Sequence, residues 1–328
     1  MKAMLLTAGL GTRLRPITEK YAKPAVPFLN VPLMYYPIPL LESLGATSLV
    51  LNTHHKPEQI EALAAHIPGS KMPVAFSPEI ETPLGSGGGI WQARKHLEGG
   101  GSFLVANGDE VILPKNSEDL MKFTKAHDES GALATISVMR HPLVGTQFGG
   151  VWADNSGRVL GFGKNRADFP QATQGLHYIG LLLLRDEVFR YLPQGESNIF
   201  YDVLKTAIAQ GEKVQCAIGD FTWYESGNPR DFLISSGEAL ALLQSNGKRS
   251  DRDFLQMTCQ RFWPAGSQLN GQTLFGPGAR VEDGSHTAGF LVLGKNSVIK
   301  RGATARNAIL LDGASVETGK SCIGEISF

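Results

Sequence analysis

The stretch LLTAGLGTRLRP, residues 5–16, places a short apolar run directly before two glycines and two arginines. Such a run followed by a glycine turn predicts a buried strand that ends in a loop close to a ligand. A dinucleotide-binding loop would need a third glycine where Leu14 stands, and an acidic residue where the second strand ends in Asn52-Thr53. The stretch therefore argues against a dinucleotide site and leaves another kind of anion-binding loop.

Positive side chains surround this glycine loop. Gly9 and Gly11 let backbone N–H groups approach an anion closely, and Arg13, Arg15 and Lys23 follow within a short span. Cations at this density can neutralise several phosphate charges at once. The loop therefore predicts a phosphate site, and the alternative is a strand-to-loop turn with incidental surface arginines.

Strand-length apolar runs alternate with helical patterns along the first two-thirds of the chain. We predict strands at residues 4–7, 48–53 and 103–107 and an amphipathic helix at 57–66. The glycine-rich stretch 85–89 is expected to form a turn that leads into a helix. Strands separated by helices indicate an α/β fold with a Rossmann-like, mixed but mainly parallel sheet. Ligands of such sheets bind at the carboxyl ends of the strands, where the glycine loop lies.

The C-terminal part of the chain has a different pattern. From Phe275 onward small or apolar residues recur every six positions, with one five-residue step between Thr287 and Val292. A six-residue repeat is typical of a parallel β-helix, here of about three coils of about 18 residues each. The alternative is an irregular glycine-rich tail. We therefore predict an α/β domain at residues 1–245, a linker at 246–272 and a short left-handed parallel β-helix at 273–328.

Composition narrows the function classes. Apolar residues make up 42% and charged residues 19% of the 328 residues, as in an ordinary globular protein. Lysine plus arginine and aspartate plus glutamate number 31 each, and this zero net charge argues against a general nucleic-acid binder. The three scattered cysteines have neither metal-site nor disulfide spacing, and no signal-peptide or membrane-span pattern is found. We expect a soluble, cytoplasmic protein without a nucleic-acid or membrane partner.

Six segments of the chain, taken in order, resemble the motifs of the sugar-1-phosphate nucleotidyltransferases. The resemblance covers about residues 1–240, and a hexad tail is also common in that family. The matching segments are AGLGTRLRPIT with AKPAVPFLNVP (8–32), ETPLGSGGGIWQA (81–93), VANGDE (105–110), FGGVWADNSGRVLGFGKN (148–165), HYIGLLLL (177–184) and WYESGNPRDF (223–232).

The resemblance implies an enzyme that transfers a nucleotidyl group from an NTP to a sugar 1-phosphate. The attacking phosphate oxygen is already ionised at neutral pH, so this chemistry needs cations and a metal rather than a general base. Arg13 and Lys23 are then expected to bind the reacting phosphates, and Asp109 to ligate Mg²⁺. Glu225 stands where the family usually has a second metal aspartate, and its longer side chain can still reach a metal.

The same resemblance assigns the residues around the two substrates. On the sugar side Gly163-Lys164-Asn165 replaces the family's Glu-Lys-Pro, so Lys164 can keep a catalytic role toward the sugar phosphate while the carboxylate is missing. Gly150 and Tyr178 are the predicted sugar contacts, with Gly149 and His177 as further candidates. The predicted nucleotide contacts are Ala8, Gly9, Gly11, Thr12, Gly85, Ser86, Gly87, Asn107 and Gly108.

Several alternatives stay open at the level of sequence. The leading substrates are GTP with mannose 1-phosphate or a heptose 1-phosphate, and UTP with an amino-sugar 1-phosphate stands close behind. The departures at Gly163 and Glu225 also allow a regulatory subunit that binds a nucleotide-sugar without making it. The adjacent residues His54 and His55 are not expected to share a metal ion, because neighbours on a strand point to opposite faces. A homodimer is expected through an unpaired coil end.

Overall fold

A sheet of nine strands forms the first unit of the fold. The structure is a computed structural model that describes residues 1–116 and 118–328. The main path of the sheet runs in the order β10-β9-β11-β6-β1-β4-β5, β8 pairs with β11, and β12 pairs with β8. Its strands are β1 (Lys2–Leu6), β4 (Ser48–Thr53), β5 (Val74–Pro78), β6 (Ser102–Asn107), β8 (Ala134–Met139), β9 (Gly150–Ala153), β10 (Val159–Gly163), β11 (Gln174–Arg185) and β12 (Val214–Ile218).

The central strands β5, β4, β1 and β6 run parallel, and β11 joins β6 in the opposite direction. The predicted mixed, mainly parallel sheet is confirmed. Two short two-stranded antiparallel sheets stand beside it. One is the hairpin of β2 (Pro27–Phe28) with β3 (Val31–Pro32), and the other pairs the distant strands β7 (Val111–Pro114) and β13 (Phe221–Tyr224).

Side chains alternate between the two faces of the sheet. On β1, Ala3 and Leu5 are buried in one apolar cluster and Met4 in another on the opposite side. This alternation follows from the two-residue repeat of a strand. The helices are α1 (Ile17–Lys20), α2 (Pro37–Ser43), α3 (Pro57–Ala64), α4 (Gly85–Gln92), α5 (Arg94–Leu97), α6 (Glu118–Ser130), α7 (Lys205–Ala209), α8 (Pro229–Leu243) and α9 (Ser250–Phe262).

The glycine-rich stretch 85–89 forms the first turns of α4. The prediction that it forms a turn before the helix was therefore wrong. Close packing explains the glycines. A Cβ on Gly87 would lie 2.5 Å from Ser197 Oγ, and one on Gly88 would collide with the carbonyl oxygen of Gly195. Glycine is a poor helix former, and here the requirement for close approach outweighs that preference.

The C-terminal strands form two sheets in which all pairs are parallel except that of the first two strands, Gln268–Asn270 with Thr273–Phe275. Arg280 pairs with Val298 and Val298 with Ser315, so successive partners lie 18 and 17 residues apart. The coarse expectation of repeating C-terminal strands is met. The strands are β14 (Gln268–Asn270), β15 (Thr273–Phe275), β16 (Arg280–Val281), β17 (His286–Leu293), β18 (Val298–Ile299), β19 (Thr304–Leu310), β20 (Ser315–Val316), β21 (Ser321–Ile323) and β22 (Ile326–Ser327).

The interval predicted as a linker, 246–272, holds helix α9 and strand β14. Arg261 on α9 forms a bidentate ion pair with Glu42 on α2, with nitrogen–oxygen distances of 2.6 and 2.9 Å. Trp263 at the end of α9 donates its indole N–H to the carbonyl of Leu29. These contacts hold α9 against the N-terminal part of the fold. Among the described helices, none has the length and apolar character needed to cross a membrane.

Candidate active site

Two adjacent cavities open at the carboxyl edge of the sheet, each of about 350 Å³. Arg13, Lys23, Asn107 and Asp109 line both of them. These side chains follow β1 and β6, which are neighbouring parallel strands and therefore end at the same edge. The shared wall brings together the predicted cations and the predicted metal ligand.

The glycine loop after β1 shapes the first cavity. Gly11 has a φ of 62°, and a Cβ there would lie 2.9 Å from side-chain atoms of both Lys23 and Thr18. Thr18 Oγ1 donates to the Gly11 carbonyl at 2.9 Å. Glycine at this position therefore lets the loop turn back on the segment that carries Lys23. The first cavity also contains the predicted nucleotide contacts Ala8, Gly9, Gly11, Thr12, Gly85, Ser86 and Asn107.

Gly87 and Gly108 are not among the residues that line either cavity. Gly87 packs on Ser197 inside the fold, as described above. A Cβ on Gly108 would lie 2.6 Å from Thr7 Cγ2, so this glycine lets the loop after β6 pack on β1. Both glycines serve close packing behind the cavity wall.

Sequence reasoning missed a buried polar pair in the first cavity, Asn52 with Glu79. Asn52 Nδ2 donates to Glu79 Oε1 at 2.7 Å, and the backbone N–H of Leu84 donates to Glu79 Oε2 at 2.6 Å. Asn52 Oδ1 accepts from the backbone N–H of Thr7 at 2.7 Å. The pair ties three loops at the sheet edge together. Its sequence signal is the polar end of β4, Asn52-Thr53, after the apolar run at 49–51.

Lys23 and Asp109 form an ion pair, with Nζ 2.6 Å from Oδ2. The lysine side chain is 12% exposed and the aspartate 28%, so the pair is partly shielded from solvent. Arg13, which follows the glycine loop, is exposed to solvent. The wall between the cavities thus holds one paired and one solvent-facing cation.

Three carboxylates gather around this wall: Asp109, Glu110 and Glu225 line the second cavity. Burial raises the pKa of Glu110 well above its usual range, and the charges of Asp109 and Glu225 raise it further. Trp223 Nε1 donates to Glu110 Oε2 at 2.6 Å. Glu225 Oε1 accepts from the backbone N–H of Gly227 at 2.6 Å. The site therefore concentrates negative charge that a cation would relieve.

The donor set fits Mg²⁺ with oxygen ligands from a substrate. Within the described ranges no group of three or more His, Cys, Asp or Glu residues forms a complete metal cage. Mg²⁺ usually takes one or two protein carboxylates and completes its shell with phosphate oxygens and water. Asp109 and Glu225, which line the same cavity, supply that number of carboxylates.

The second cavity contains the predicted sugar contacts Gly150 and Tyr178, together with Gly149 and His177. Lys164 is exposed and is not among the lining residues of either cavity. It directly follows β10, whose last residue, Gly163, accepts a hydrogen bond from Trp152 Nε1 at 2.9 Å. The structure thus brings Arg13, Lys23, Asp109 and Glu225 together and leaves Lys164 outside.

An aromatic cluster beside the second cavity escaped sequence reasoning. The rings of His141, Phe148, His177 and Trp223, which we call the ring cluster, have pairwise centroid distances from 4.6 to 6.0 Å. Burial and, to a smaller extent, the charge of His141 together lower the pKa of His177 to about 4, so its imidazole is neutral at neutral pH. His141 and Phe148 share one loop, but His177 and Trp223 come from distant strands, and no local motif joins the three segments.

The adjacent residues His54 and His55, which follow β4, contact different groups. His54 Nδ1 lies 2.7 Å from the Glu79 carbonyl oxygen, and His55 Nε2 lies 3.1 Å from that of Thr18. Both residues follow the end of β4 at Thr53 rather than lying on the strand, so the expected alternation of side chains along a strand does not apply to them.

Comparisons with known proteins point to one family. Residues 2–240 match the family model described as Nucleotidyl transferase. A UTP--glucose-1-phosphate uridylyltransferase of Synechocystis is 27% identical over all of this chain and 87% of that protein. A mannose-1-phosphate guanylyltransferase of Mycobacterium tuberculosis is 28% identical over 97% of this chain and 81% of that protein.

Two solved structures share the fold. A UDP-glucose pyrophosphorylase complexed with UDP-glucose covers 72% of this chain and 97% of its own, with a TM-score of 0.61 and 19% identity. HddC from Yersinia pseudotuberculosis complexed with GMP-PN covers 72% of this chain and 98% of its own, with a TM-score of 0.58 and 22% identity. At these identities the likeness concerns the fold alone.

Proposed function

Because this chain belongs to the nucleotidyl transferase family, we propose that it transfers a nucleotidyl group from an NTP to a sugar 1-phosphate. The products are an NDP-sugar and pyrophosphate. One observation carries this proposal: the two cavities share a wall formed by Arg13, Lys23, Asn107 and Asp109. Two phosphate-bearing substrates, one in each cavity, would meet at that wall.

The reaction is an in-line displacement at the α-phosphorus. A sugar-phosphate oxygen forms the new bond to phosphorus, and the bond between the α-phosphorus and its bridging oxygen breaks to release pyrophosphate. The attacking oxygen carries its negative charge before the reaction, so no proton has to be removed. Arg13 binds the leaving pyrophosphate, and Lys23 neutralises charge on the reacting phosphates.

Lys23 has to change partner for this role. Its ammonium group is paired with Asp109 at 2.6 Å. Arriving phosphates offer the lysine a new anionic partner, and this frees Asp109 to bind a cation. After the exchange, Lys23 is paired with phosphate and Asp109 with the cation, so both charges keep a partner. Nucleotide binding thereby makes the Asp109 carboxylate free to bind the cation.

Asp109 and Glu225 would hold Mg²⁺. When bound, the ion neutralises phosphate charge and orients the phosphates for in-line attack. Glu225 is one methylene longer than the usual aspartate of the resembled family, and its hydrogen bond to Gly227 N–H directs one oxygen. Trp223 and Glu110 support the neighbouring wall through their 2.6 Å hydrogen bond.

GTP remains the leading nucleotide and UTP the alternative. Mannose-1-phosphate guanylyltransferases are frequent among the related proteins, and a uridylyltransferase is also present. Gly85 and Ser86, in the wall of the first cavity, give the base and ribose a close approach. The sugar contacts come from Gly150 and Tyr178 in the second cavity. Lys164 reaches the sugar phosphate only if the hairpin end that bears it moves toward the cavity.

We further propose the domain boundaries 1–245, 246–272 and 273–328, with a left-handed parallel β-helix in the last part. The partner spacing of 17 and 18 residues in the parallel C-terminal sheets supports this. Asn30 Nδ2 donates to the Leu293 carbonyl at 2.9 Å, which links the C-terminal part to the turn after Lys23. A cytoplasmic location and a homodimer remain predictions from the sequence.

Pyrophosphate release tests the proposed function. The full chain with Mg²⁺ is incubated with each of the four common NTPs and a panel of sugar 1-phosphates. Release that needs both substrates supports nucleotidyl transfer. Absence of release across the panel, with binding of nucleotide-sugars intact, favours the regulatory alternative instead.

A further inference from the structure

The ring cluster gives the second cavity a largely apolar side. Phe148, His177 and Trp223 line the cavity, and His141 contacts all three rings without being a lining residue. Trp223 and His177 make the closest approach, with centroids 4.6 Å apart. The cluster joins three segments of the chain, the loop between β8 and β9, strand β11 and strand β13, so its rings support one another in a single arrangement.

The polar atoms of the ring cluster are unequally engaged. Trp223 already donates its single N–H to Glu110 Oε2 at 2.6 Å, so the indole offers a ligand only apolar surface. The ring nitrogens of His177 have no hydrogen-bond partner within the described part of the chain. A neutral imidazole carries one donor and one acceptor. The cavity therefore presents apolar rings next to one donor and one acceptor.

The carboxylates that line this cavity each already have a partner. Asp109 is paired with Lys23, Glu110 accepts from Trp223, and Glu225 accepts from Gly227 N–H. At the end of β10, glycine stands where the resembled family has a glutamate that binds sugar hydroxyls. Asn107, Tyr178 and Tyr201, which also line the cavity, lie outside the ring cluster, so a sugar ring meets apolar surface at Phe148 and Trp223.

We infer that the second cavity selects a sugar 1-phosphate that carries an acylamino group. The acyl methyl packs against Phe148 and Trp223, and the amide N–H and carbonyl face His177. This inference rests on the proposed nucleotidyl transfer and names the substrate class of the same site. It places the amino-sugar 1-phosphates ahead of the mannose and heptose 1-phosphates among the predicted sugars.

The physical reason is the match between the group and its surroundings. An acetamido group joins an apolar methyl to an amide that has one donor and one acceptor, which is the combination the ring cluster offers. Apolar area gains free energy on burial in proportion to its size. A hydroxyl at the same position has no methyl group to cover the rings of Phe148 and Trp223, so it buries less apolar area than the acetamido group. Discrimination of about tenfold or more is expected from such a difference.

A matched pair of substrates tests the inference. N-acetylglucosamine 1-phosphate and glucose 1-phosphate differ only at carbon 2, where one has an acetamido group and the other a hydroxyl. Pyrophosphate release is measured for each with Mg²⁺ and with GTP or UTP. We expect kcat/KM to be about tenfold or more higher for the N-acetyl sugar. Equal or faster reaction of glucose 1-phosphate overturns the inference while leaving nucleotidyl transfer intact.

Product binding decides the preference independently of turnover. Calorimetry on the full chain compares the UDP and GDP derivatives of N-acetylglucosamine with those of glucose, and we expect a Kd about tenfold lower for the N-acetyl compound of the nucleotide that binds. Equal Kd values overturn the inference. Binding of neither product, together with no pyrophosphate release from any pair of substrates, overturns the proposed function itself.

Two variants locate the preference. His177→Phe keeps an aromatic ring and removes both nitrogens, and Phe148→Ala removes apolar surface; each should move the ratio of kcat/KM for the two sugars toward one. His66→Phe replaces an exposed histidine outside both cavities and serves as the matched control, for which the ratio should not change. An unchanged ratio in both cluster variants, shown by circular dichroism to be folded, overturns the assignment to the ring cluster.

Discussion

Lys23 and Asp109 meet at the wall between the two cavities, with the lysine Nζ 2.6 Å from Oδ2 of the aspartate. The lysine follows the N-terminal glycine loop and the aspartate follows β6, so 86 positions of sequence separate them. Partial burial strengthens their attraction relative to a fully exposed pair. The pair holds a cation ready at the place where both phosphates would arrive.

Removing the charge of Lys23 should slow the reaction strongly. For Lys23→Gln we expect kcat to fall by about 10²–10³, because one preorganised group that stabilises transition-state charge is lost. Initial rates of pyrophosphate release measure the effect. Lys115→Gln is the matched control, since Lys115 pairs with Asp220 at the surface, away from both cavities. A Lys23 variant as fast as this control would contradict the role of Lys23.

The carboxylate of Glu225 should control the affinity for the metal. For Glu225→Gln we expect about tenfold more Mg²⁺ to be needed for half-maximal rate, because a neutral amide is a weaker ligand. Binding of Mn²⁺ in the presence of GTP, followed by electron paramagnetic resonance, gives a second readout. Glu187→Gln changes an exposed carboxylate outside both substrate cavities and should leave both values unchanged. Equal metal dependence of the two variants would exclude Glu225 as a ligand.

The contact between Trp263 and Leu29 should support the turn that follows Lys23. Trp263→Phe removes the N–H that lies 2.8 Å from the Leu29 carbonyl and leaves a buried acceptor without a partner. We expect the free energy of unfolding to fall by about 1–2 kcal/mol, and the KM for NTP to rise. Denaturant unfolding and steady-state kinetics measure the two effects. Met257→Leu, on the exposed side of the same helix, should change neither; equal behaviour of both variants would contradict the coupling.

His127 should make stability depend on pH. Burial lowers its pKa from 6.5 to about 4 in the folded protein, and its two ring nitrogens lie near Ser102 Oγ and Thr135 Oγ1. The unfolded chain therefore binds a proton more readily between these values. Its contribution is complete above about pH 6.5 and is lost progressively as pH falls toward 4, by on the order of 3 kcal/mol.

Denaturant unfolding between pH 7.5 and 4 measures this slope. His127→Gln should flatten the part of the slope that His127 causes. His66→Gln, a change at an exposed histidine, should not. If the two variants have the same pH dependence of unfolding free energy, His127 is not the group responsible.

Local patterns were sufficient to predict much of the sheet. The apolar runs at 48–53 and 103–107 lie in β4 and β6, and the helix predicted at 57–66 ends two residues early, at Ala64. The carboxyl-edge rule for parallel strands predicts that the glycine loop lies at the edge where ligands bind. The family resemblance then supplied the expected chemistry.

Contacts between distant segments explain what the sequence could not predict. The glycines at 85–89 locally indicate a turn. They form a helix because they pack closely against Ser197 and Gly195, which no local pattern predicts. The ring cluster joins residues from 141 to 223, and the sequence around an aromatic residue does not indicate which distant ring it will contact. The exposed position of Lys164 likewise depends on how the hairpin β9–β10 ends, which short-range patterns do not determine.

Phosphorus nuclear magnetic resonance tests the central claim most directly, because it identifies every phosphorus-containing product. The full chain is incubated with Mg²⁺, an NTP and a sugar 1-phosphate. The account predicts equal amounts of free pyrophosphate and of a sugar nucleotide with two coupled diphosphate signals, both requiring the sugar phosphate. Inorganic phosphate with NDP, or NMP with pyrophosphate formed without the sugar, would contradict it.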